Sequence, residues 1–348
     1  MTWLTWETYD SFFFRGNNNF DASSQFEAED IFPPRPGTFY GAIRTAVIEQ
    51  EDALEVFLEG TNEALKQRIG SPTTHGSFRI QGTFLEYEDT LYVPVPLDIQ
   101  IIRTDDAYRG YPLTLHAVES ESGQSDGSSH RLLAPHAVKS QSAQGKWMPF
   151  EQLLKSDYSQ IVDATFFVSK EEKTGIALDE ESRTVREGFL YQAVRSRLRP
   201  GVRIVTLCEG LETYPSTIRL GNGGTVWYGK EREVPVFFNQ KELIRNYMEG
   251  QEYARIYALM PGLETSEEYI VEASGRGEWI GGWDMVKRRP KPRVQARPAG
   301  TTRWIKIQNV EKQLEQFWFA HHSETEEVGY GLTCLLPINP IEKGSFES

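Results

Sequence analysis

The segment from Ile31 to Ile48 limits the possible folds of this chain more than any other, because it interrupts the backbone and then at once begins a helix. Its sequence is IFPPRPGTFYGAIRTAVI. The prolines favour an extended approach, Gly37 relaxes the backbone, and Thr38 can accept the unpaired amide hydrogens of a first helical turn. The segment therefore predicts a helix that is capped at Thr38.

The predicted helix has one apolar side. Four residues at i, i+4, i+7 and i+8 form a stripe that would pack on a sheet: Phe39, Ile43, Ala46 and Val47. Tyr40 and Arg44 lie on other sides of the helix. We therefore expect these two side chains to be available for a ligand.

The length and composition of the chain allow more than one hydrophobic core. It has 348 residues, 39% of them hydrophobic, and at roughly 150 residues per domain this predicts two domains. A β pattern restarts near Val162, after a serine-rich stretch at 119–130 that lacks an apolar period. We therefore expect an N-terminal domain at 1–154 and a C-terminal domain at 155–348.

Each half of the chain has the pattern strand, helix, strands, helix and strand. This order predicts an α+β fold with two ferredoxin-like domains. In the second half, Gly188–Arg199 and Val202–Leu207 are joined by Pro200-Gly201, a pair that suits the centre of a type II turn. We expect these two strands to pair as a hairpin.

Three arginines alternate along the first strand of that hairpin: Arg195, Arg197 and Arg199. An extended strand would present all three from one face, where their guanidinium groups could grip phosphate oxygens. The alternative is that they pair with some of the 50 acidic residues of the chain. We favour phosphate, because Arg183 and Arg186 lie just upstream.

The formal net charge of −13 argues against indiscriminate nucleic-acid binding. The charge is unevenly distributed, however, because the segment 287–306 has eight basic residues and no acidic one: Lys287, Arg288, Arg289, Lys291, Arg293, Arg297, Arg303 and Lys306. A local basic strip on an acidic body is typical of a protein that contacts an anion on one side and protein partners on others. The alternative is a solvated basic loop.

The two cysteines, Cys208 and Cys334, lie far apart in the sequence. Neither a disulfide framework nor a cysteine zinc site is therefore expected, which favours the reducing cytoplasm. The N-terminal residues lack a basic residue before Arg15 and lack an uninterrupted apolar segment, so they do not resemble a signal peptide. No apolar run approaches the roughly 20 residues of a membrane span.

Three glycine-containing segments match catalytic or nucleotide-binding motifs in part. Residues 123–127 match G-x-S-x-G but lie in a polar stretch, residues 224–230 resemble a P-loop that is followed by Glu231, and residues 275–281 have their third glycine one position late for a dinucleotide site. None of the six histidines stands in a metal-binding pattern. We expect no enzyme activity, metal or cofactor, although a lone histidine could act as a general base in metal-independent RNA cleavage.

Seven segments, taken in order, resemble one protein family. They are SFFFRG at 11–16, FPPRPGTFYGAIRTA at 32–46, KTGIALDEESRTVREGFLY at 173–191, LRPGVRIV at 198–205, RLGNGG at 219–224, the stretch from GGWD to PAG at 281–300, and GYGLT at 329–333. Together they resemble the RAMP superfamily of CRISPR effector subunits, and within it the subunit of the type III-B (Cmr) complex that binds the 5′ handle of the guide RNA.

The resemblance implies two ferredoxin-like domains, glycine-rich loops, and a projecting β-hairpin "thumb" at Lys173–Glu187. It implies that CRISPR guide RNA, a large polymerase-like subunit and a backbone RAMP subunit are the partners, with no membrane involved. The 5′ handle would lie among the start of the helix at Tyr40–Arg44, the glycine-rich loop and nearby arginines. The candidate RNA-binding residues are Arg15, Tyr40, Gly41, Arg44, Lys173, Arg183, Arg186, Arg195, Arg197, Gly223, Gly224, Arg288 and Arg289.

Three functions remain open at this point. The favoured one is a non-catalytic subunit that caps the guide RNA handle and docks the large subunit onto the backbone filament, with catalysis in its partners. The second is a metal-independent, guide-processing endoribonuclease on the same fold, which one histidine substitution would inactivate. The third is a protein scaffold without RNA contact, whose assembly would be insensitive to Arg183→Ala or Arg186→Ala.

Overall fold

The computed structural model describes residues 1–16, 30–51, 53–104, 107–118, 130–178, 185–235, 238, 240–262, 268–284, 287–322 and 326–338. Within strands and turns of these ranges, the side chains of residues 174–178, 185–193, 284 and 326 are outside the description. The predicted G-x-S-x-G match at 123–127 also lies outside the described residues.

Six helices lie within the described residues. They are α1 (Pro36–Gln50), α2 (Leu54–Glu59), α3 (Glu63–Ile69), α4 (Phe150–Leu154), α5 (Lys241–Met248) and α6 (Val310–Phe317). Two short 3-10 turns occupy Ala164–Phe166 and Glu326–Val328.

The strands of the described residues are short, with a few exceptions. They are β1 (Thr2–Glu7), β2 (Arg79–Tyr87), β3 (Thr90–Pro94), β4 (Ile99–Thr104), β5 (Ala107–Pro112), β6 (Thr114–Ala117), β7 (His130–Leu133), β8 (Lys146–Pro149), β9 (Val162–Asp163), β10 (Val168–Leu178), β11 (Val185–Leu198), β12 (Val202–Glu209), β13 (Thr217–Leu220), β14 (Thr225–Arg232), β15 (Tyr253–Ala258), β16 (Val271–Ala273), β17 (Glu278–Ile280), β18 (Trp283–Asp284), β19 (Arg289–Pro290), β20 (Val294–Ala296), β21 (Thr302–Lys306), β22 (Ala320–His321) and β23 (Leu332–Pro337).

Two large sheets organise the fold. One has eight strands in the order β13-β14-β1-β12-β2-β3-β8-β9, and the other has five in the order β16-β21-β15-β23-β22. Five two-stranded ladders complete the described strands: β10-β11, β17-β20, β18-β19, β4-β5 and β6-β7. The strand pairs within the large sheets are antiparallel, for example β1 with β12 and β15 with β23. The molecule therefore combines helices with mainly antiparallel sheets, as the α+β prediction requires.

The eight-stranded sheet takes strands from both sides of the predicted domain boundary at 154/155. β12 pairs with β1 on one side and with β2 on the other, so the strand at 202–209 is inserted between strands of the first half. The five-stranded sheet begins only with Tyr253 in β15. The two ferredoxin-like domains and their boundary stay predictions.

The turn at Pro200-Gly201 forms as predicted, but the hairpin around it does not. Gly201 has φ +81°, and Val202 N–H donates to the Arg199 carbonyl oxygen at 3.1 Å. The strands that flank this turn do not pair with each other, because β11 pairs with β10 whereas β12 enters the eight-stranded sheet. The predicted hairpin was therefore wrong. A turn sets the local chain direction, but burial decides which strands become neighbours.

Helix α1 follows the proline-rich segment, although it begins earlier than predicted. Pro36 occupies the first turn and the N-cap is Arg35, without a side-chain cap bond. Pro36 has the φ that a first helical residue needs and lacks only an N–H that would be unpaired there. The predicted cap at Thr38 was therefore wrong, since Thr38 lies inside the helix. The apolar stripe was correct, because Phe39, Ile43, Ala46 and Val47 are all buried.

The two faces of the eight-stranded sheet cover different cores. Alternation along β1 sends Leu4 and Trp6 into a cluster with Ile43 of α1, and sends Trp3 into a second cluster with residues such as Ile256 of the five-stranded sheet. Trp3 and Trp6 are both at most 1% exposed. Burial of such large aromatic side chains on both faces holds α1 on one side and the second sheet on the other.

A buried ion pair connects the second sheet to the first half of the chain. Asp98 accepts a hydrogen bond from Trp304 Nε1 at 2.9 Å and lies 3.4 Å from Arg255 Nη1. Both charged side chains are at most 4% exposed. Loss of either partner would leave an uncompensated buried charge, so this pair fastens the segment before β4 to the five-stranded sheet.

Candidate nucleic-acid interface

The segment that follows β1 lies between two of the predicted binding regions. Phe12 and Ser196 of β11 exchange two backbone hydrogen bonds of 2.7 and 2.8 Å. Asn222 N–H, in the glycine turn between β13 and β14, donates to the Phe13 carbonyl oxygen at 2.9 Å. The segment therefore joins the root of the β10-β11 hairpin to the glycine turn.

Two arginines at the hairpin root are held by acceptors on this segment. Arg195 donates from Nη2 to the Ser11 carbonyl oxygen at 2.6 Å and from Nε to the Ser11 hydroxyl at 3.2 Å. Arg197 donates to the Tyr9 carbonyl oxygen and grips the Glu171 carboxylate with Nε and Nη2. Both side chains therefore leave β11 on the same face, as the period-two pattern predicts.

Arg197 has the acidic partner that the alternative interpretation predicted. Its hydrogen bond lowers the pKa of the Glu171 carboxyl, and the same bond raises the pKa of Arg197. The side chains of Arg197 and Glu171 are still 39% and 34% exposed. Arg197 is thus oriented by Glu171 and remains accessible from solvent.

The Asp30 side chain holds the root of the β10-β11 hairpin in place. Its carboxylate is 3% exposed and accepts hydrogen bonds from Phe14 N–H at 2.8 Å, from Lys170 Nζ at 3.0 Å and from the Ser196 hydroxyl. Arg15 is exposed, and its backbone forms an antiparallel bridge with Asp30. Sequence analysis did not single out Asp30, since a carboxylate that contacts residues 140 or more positions away has no local signal.

The turn between β13 and β14 depends on glycine. Gly221, Gly223 and Gly224 have φ of +77°, +91° and +62°. A Cβ at Gly221 would lie 2.9 Å from the Phe13 carbonyl oxygen, closer than a side chain allows. Glycine therefore provides both the backbone conformation and the close approach of the segment after β1. The RNA contacts predicted for Gly223 and Gly224 stay predictions.

Two exposed tyrosines complete this region. Tyr9 and Tyr228 are 76% and 50% exposed, and their ring centroids are 5.7 Å apart at an interplanar angle of 50°. We call Tyr9, Arg195, Arg197, Tyr228 and the turn 221–224 the edge site, because β13 and β14 form one edge of the eight-stranded sheet. Sequence analysis missed both tyrosines. The alternation of buried Trp227 with Tyr228 in β14 was the available signal.

The start of α1 is more enclosed than the sequence predicted. The Tyr40 ring stacks on Phe78 with centroids 5.1 Å apart, its hydroxyl is hydrogen-bonded to His75 Nδ1 at 2.8 Å, and burial raises its pKa. Tyr40 is only 4% exposed. The expectation that Tyr40 is available for a ligand was therefore wrong, because a second set of side chains covers that side of the helix.

Arg44 lies beside Tyr40 and is half-buried. Its Nη2 donates to the Ser71 carbonyl oxygen at 2.8 Å, and its guanidinium carbon is 5.3 Å from the ring centroids of both Tyr40 and Phe57. Burial lowers the pKa of Arg44. Its guanidinium is thus engaged within the protein, contrary to the expectation that it is left for a ligand. Gly41 is exposed on the same helix, and a Cβ added there would meet no heavy atom within 4 Å beyond its own stretch of helix.

The basic strip at 287–306 divides into two parts. Arg297 and Arg303 both form ion pairs with Glu272, at 2.5 and 2.8 Å. Arg288 and Arg289, the two strip residues predicted to bind RNA, are exposed near the end of the ladder formed by β18 and β19. The solvated-loop interpretation is therefore wrong for Arg297 and Arg303, which form ion pairs. Arg288 and Arg289 remain exposed at the surface.

The remaining candidates are Lys173, Arg183 and Arg186. Lys173 is exposed and pairs with Ala193 across the ladder. Arg183 lies outside the described residues, and Arg186 belongs to β11 with its side chain outside the description. The structure thus brings Arg15, Arg195, Arg197, Gly223 and Gly224 together around one segment, and places Tyr40, Gly41 and Arg44 on α1.

The described residues contain neither a metal cluster nor a membrane-spanning helix. No group of three or more His, Cys, Asp and Glu side chains in this part of the chain is arranged to hold a metal ion. Among the same residues, no helix combines the length and apolar character that a membrane span requires.

Comparison with solved structures shows the class of protein that has this fold. A chain of type III-B Cmr-beta bound to cognate target RNA matches with a TM-score of 0.52 and 14% identity, over 95% of this chain and 96% of the other. A chain of type III-B Cmr-beta bound to cognate target RNA and AMPPnP matches with a TM-score of 0.50 and 14% identity, over 96% and 99%. At this identity the likeness concerns the fold alone.

The family follows from the sequence match. The model of the CRISPR-associated protein family Cas_Cmr3 matches residues 4–338, so the chain belongs to that family. No curated protein matches the sequence significantly. The family match confirms the resemblance to type III-B (Cmr) subunits of the RAMP superfamily that the seven segments predicted.

Proposed function

We propose that this protein is a non-catalytic, guide-RNA-binding subunit of a type III-B (Cmr) CRISPR interference complex, and that it caps the 5′ handle of the guide. One observation carries the proposal. The edge site joins two exposed tyrosines, two oriented arginines and a glycine turn beside the β10-β11 hairpin, in a chain whose net charge is −13.

The edge site has the chemistry that single-stranded RNA requires. Exposed aromatic rings stack on bases of any sequence, and guanidinium groups bind phosphate oxygens. The described contacts of Arg195 use Nε and Nη2, and a guanidinium has five N–H donors, so further donors can serve a phosphate. Because Ser11 and Glu171 already hold both arginines, little side-chain entropy is lost when RNA binds.

Tyr40, Arg44 and Gly41 contribute differently in this proposal. Tyr40 and Arg44 are packed against Phe78 and Phe57, so they support the helix start and do not grip a base directly. Gly41 leaves an open surface on α1 along which a strand can pass. The exposed cations Arg15, Lys173, Arg288 and Arg289 extend the surface that attracts the RNA backbone.

A protein partner is supported by an exposed apolar helix. In α2, Leu54, Val56 and Leu58 are 51%, 36% and 46% exposed, whereas Phe57 is 4% exposed. Leu54 and Leu58 lie one helical turn apart on the same side of α2, and exposed apolar side chains of this kind are typical of a protein contact. We propose that α2 contacts a neighbouring subunit, either the large polymerase-like subunit or the backbone RAMP subunit.

Affinity purification from cells that carry the whole complex tests this function. We expect the tagged protein to recover short RNAs with one common, repeat-derived 5′ end, together with a polymerase-like subunit. The combined Tyr9→Ala and Tyr228→Ala variant should lose most of this RNA, whereas Lys312→Ala, an exposed cation on α6, should not. Recovery of the protein without RNA would overturn the proposal.

The endoribonuclease hypothesis has its own test. His75 is the histidine that lies at the helix start, and burial lowers its pKa, so it is neutral at neutral pH and could accept a proton. The proposed function predicts that the purified protein leaves repeat RNA intact without added metal. Cleavage that disappears in His75→Ala would contradict the non-catalytic role.

A further inference from the structure

Residues 278–284 and 287–296 form two antiparallel ladders that sequence analysis did not predict. β17 pairs with β20 and β18 pairs with β19, both antiparallel. Between these ladders, Lys291 N–H donates to the Gly282 carbonyl oxygen at 2.9 Å, so the two short ladders continue one another. We call residues 278–284 and 287–296 the second hairpin.

The root of the second hairpin is fixed to the body of the protein. Ala296 is 2% exposed. Just before β17, Arg276 and the Gln144 side chain exchange two hydrogen bonds of 2.9 Å. At the root itself, burial raises the pKa of the Glu278 carboxyl, and the positive charge of Arg35 partly opposes that rise. The root is therefore held from several sides.

The second hairpin exposes large apolar side chains along its whole length. Trp279 and Val294, in the ladder next to the root, are 47% and 49% exposed, and Trp283, in the outer ladder, is 59% exposed. A two-stranded hairpin is only marginally stable by itself in water, and large apolar side chains at a surface are typical of a contact site. The second hairpin therefore has the properties of a surface that a partner covers.

The charges in the outer part of the second hairpin favour an anionic partner. All five basic residues of the segment 287–293 are exposed: Lys287, Arg288, Arg289, Lys291 and Arg293. A Cβ at Gly281 would lie 3.4 Å from Cγ of Arg293, and one at Gly282 would lie 3.6 Å from Cδ of Lys291. The aliphatic stems of both cations thus lie on the glycine backbone, which lets their charged ends extend beyond it.

We propose that the second hairpin is a separate RNA-binding element, in which Trp279 and Trp283 stack on unpaired bases while Arg288, Arg289, Lys291 and Arg293 bind the adjoining phosphates. Indole rings beside clustered cations are the combination that holds single-stranded RNA without sequence selection. A protein partner would have to supply many carboxylates at this spacing, whereas an RNA strand carries a phosphate at every nucleotide.

Lys291 of the second hairpin acts on His75, whose ring is hydrogen-bonded to the Tyr40 hydroxyl of α1 at 2.8 Å. Burial is the main cause of the lowered pKa of His75, and the positive charge of Lys291 lowers it further. This inference rests on the proposed function for the identity of the ligand, and it adds the two tryptophans, Lys291 and Arg293 to Arg288 and Arg289, which that function already includes.

Ultraviolet crosslinking of the purified chain to a short single-stranded oligouridine tests the proposal. We expect crosslinked peptides that contain Trp279 or Trp283. The combined Trp279→Ala and Trp283→Ala variant should bind the oligouridine at least about 30-fold more weakly, since base stacking on each aromatic ring contributes about 1–3 kcal/mol and 1.4 kcal/mol is tenfold. The matched Trp279→Phe and Trp283→Phe variant, which keeps flat aromatic rings, should retain most of the affinity.

The outcomes separate this proposal from the function of the edge site. Crosslinks at Tyr9 or Tyr228 alone, with unchanged affinity in the Trp279→Ala and Trp283→Ala variant, would overturn the second hairpin and leave the proposed function standing. Crosslinks at the second hairpin alone, with normal affinity in the Tyr9→Ala and Tyr228→Ala variant, would support the second hairpin and overturn the edge site as the RNA-binding surface. In the affinity purification, a Trp279→Ala and Trp283→Ala variant that loses a protein subunit but keeps its RNA would also overturn the second hairpin as an RNA-binding element.

Discussion

The edge site and the second hairpin both place cations beside exposed aromatic rings, but they hold those cations differently. At the edge site, Arg195 and Arg197 donate to Ser11, Tyr9 and Glu171, and Asp30 fixes the strand that carries them. In the second hairpin, the basic residues of 287–293 are exposed on a ladder of few residues.

This difference between the two regions predicts different effects on protein stability and on RNA binding. A polar group that is buried and hydrogen-bonded is expensive to remove, because its partners are then left unpaired away from water. An exposed cation contributes little to folding but attracts an anion freely. We therefore expect changes to the buried groups that hold the edge site, such as Asp30, to affect folding and RNA binding together, and changes to the exposed cations of the second hairpin to affect RNA binding alone.

The largest effect is expected for Asp30→Ala. The substitution removes an acceptor that is 3% exposed and leaves the Phe14 amide and Lys170 without it. We expect a loss of about 2–4 kcal/mol in the free energy of unfolding, measured by urea denaturation. The control is Asp157→Ala, whose carboxylate accepts a bond from the nearby exposed Ser159 amide. A loss below that of the control would refute the anchoring role.

The next effect concerns the cations of the second hairpin. Replacement of Arg288, Arg289, Lys291 and Arg293 by alanine should change the free energy of unfolding by no more than about 0.5 kcal/mol. The logarithm of the affinity for oligouridine should become less dependent on the logarithm of salt concentration, by about 0.7 per lost phosphate contact. Measurement of the affinity for oligouridine across a series of salt concentrations gives both the loss of affinity and the change in its salt dependence.

An unchanged salt slope in that variant would break the comparison, since it would mean that these exposed cations do not meet phosphates. Lys241→Ala and Lys312→Ala, on the helices α5 and α6, provide the control for a general loss of positive charge.

Two glycines give a smaller effect of opposite sign. Gly223 has φ +91°, so Gly223→Ala should destabilise the protein by about 1 kcal/mol. Gly41 lies inside α1 with no heavy atom near a Cβ, so Gly41→Ala should stabilise it by about 0.5–1 kcal/mol. Thermal unfolding of both variants measures the difference. Equal shifts in the same direction would show that the glycine turn has no special conformational requirement.

The smallest effect is the pH dependence contributed by His75. Its pKa is lower in the folded protein than its ordinary value of 6.5, chiefly because burial disfavours the charged ring, and Arg44, Lys291 and Arg79 act in the same direction while Glu327 opposes them. Below about 6.5 the unfolded chain therefore binds more protons than the folded one. Stability should rise with pH through this window, and less steeply in His75→Gln.

The comparison of the two slopes isolates His75 from other titrating groups. The raised pKa of Glu278, for example, gives the opposite dependence above 4.5, but it is present in both proteins. Identical slopes for the two proteins, from denaturant unfolding above and below pH 6.5, would show that His75 titrates alike in the folded and unfolded chain.

Local sequence patterns predicted the secondary-structure elements better than they predicted which elements pack or pair with each other. The apolar stripe of α1 was correct, because side-chain direction in a helix follows directly from sequence spacing. The cap was misplaced by three residues, because Pro36 can begin a helix without a capping side chain. The turn at Pro200-Gly201 was correct, while the pairing of its flanking strands was wrong.

The candidate site shows the same division. Period two correctly placed Arg195 and Arg197 on one face of β11, whereas Arg199, the third arginine of that pattern, lies just past the end of the strand. Sequence spacing gave no sign that Tyr40 stacks on Phe78, or that Asp30 accepts a bond from Lys170. Those contacts join residues that are far apart along the chain, so only the packed structure brings them together.

By itself, the sequence determined the family, the position of α1, the glycine turn and the basic strip. Each of these depends on residue type and short-range spacing, which backbone sterics and charge translate directly into local structure. Tertiary structure decided that β10 pairs with β11, that the basic strip divides between Glu272 and solvent, and that two tyrosines stand beside the hairpin root. The reason is that pairing, burial and exposure depend on the whole packed core, which no short segment specifies.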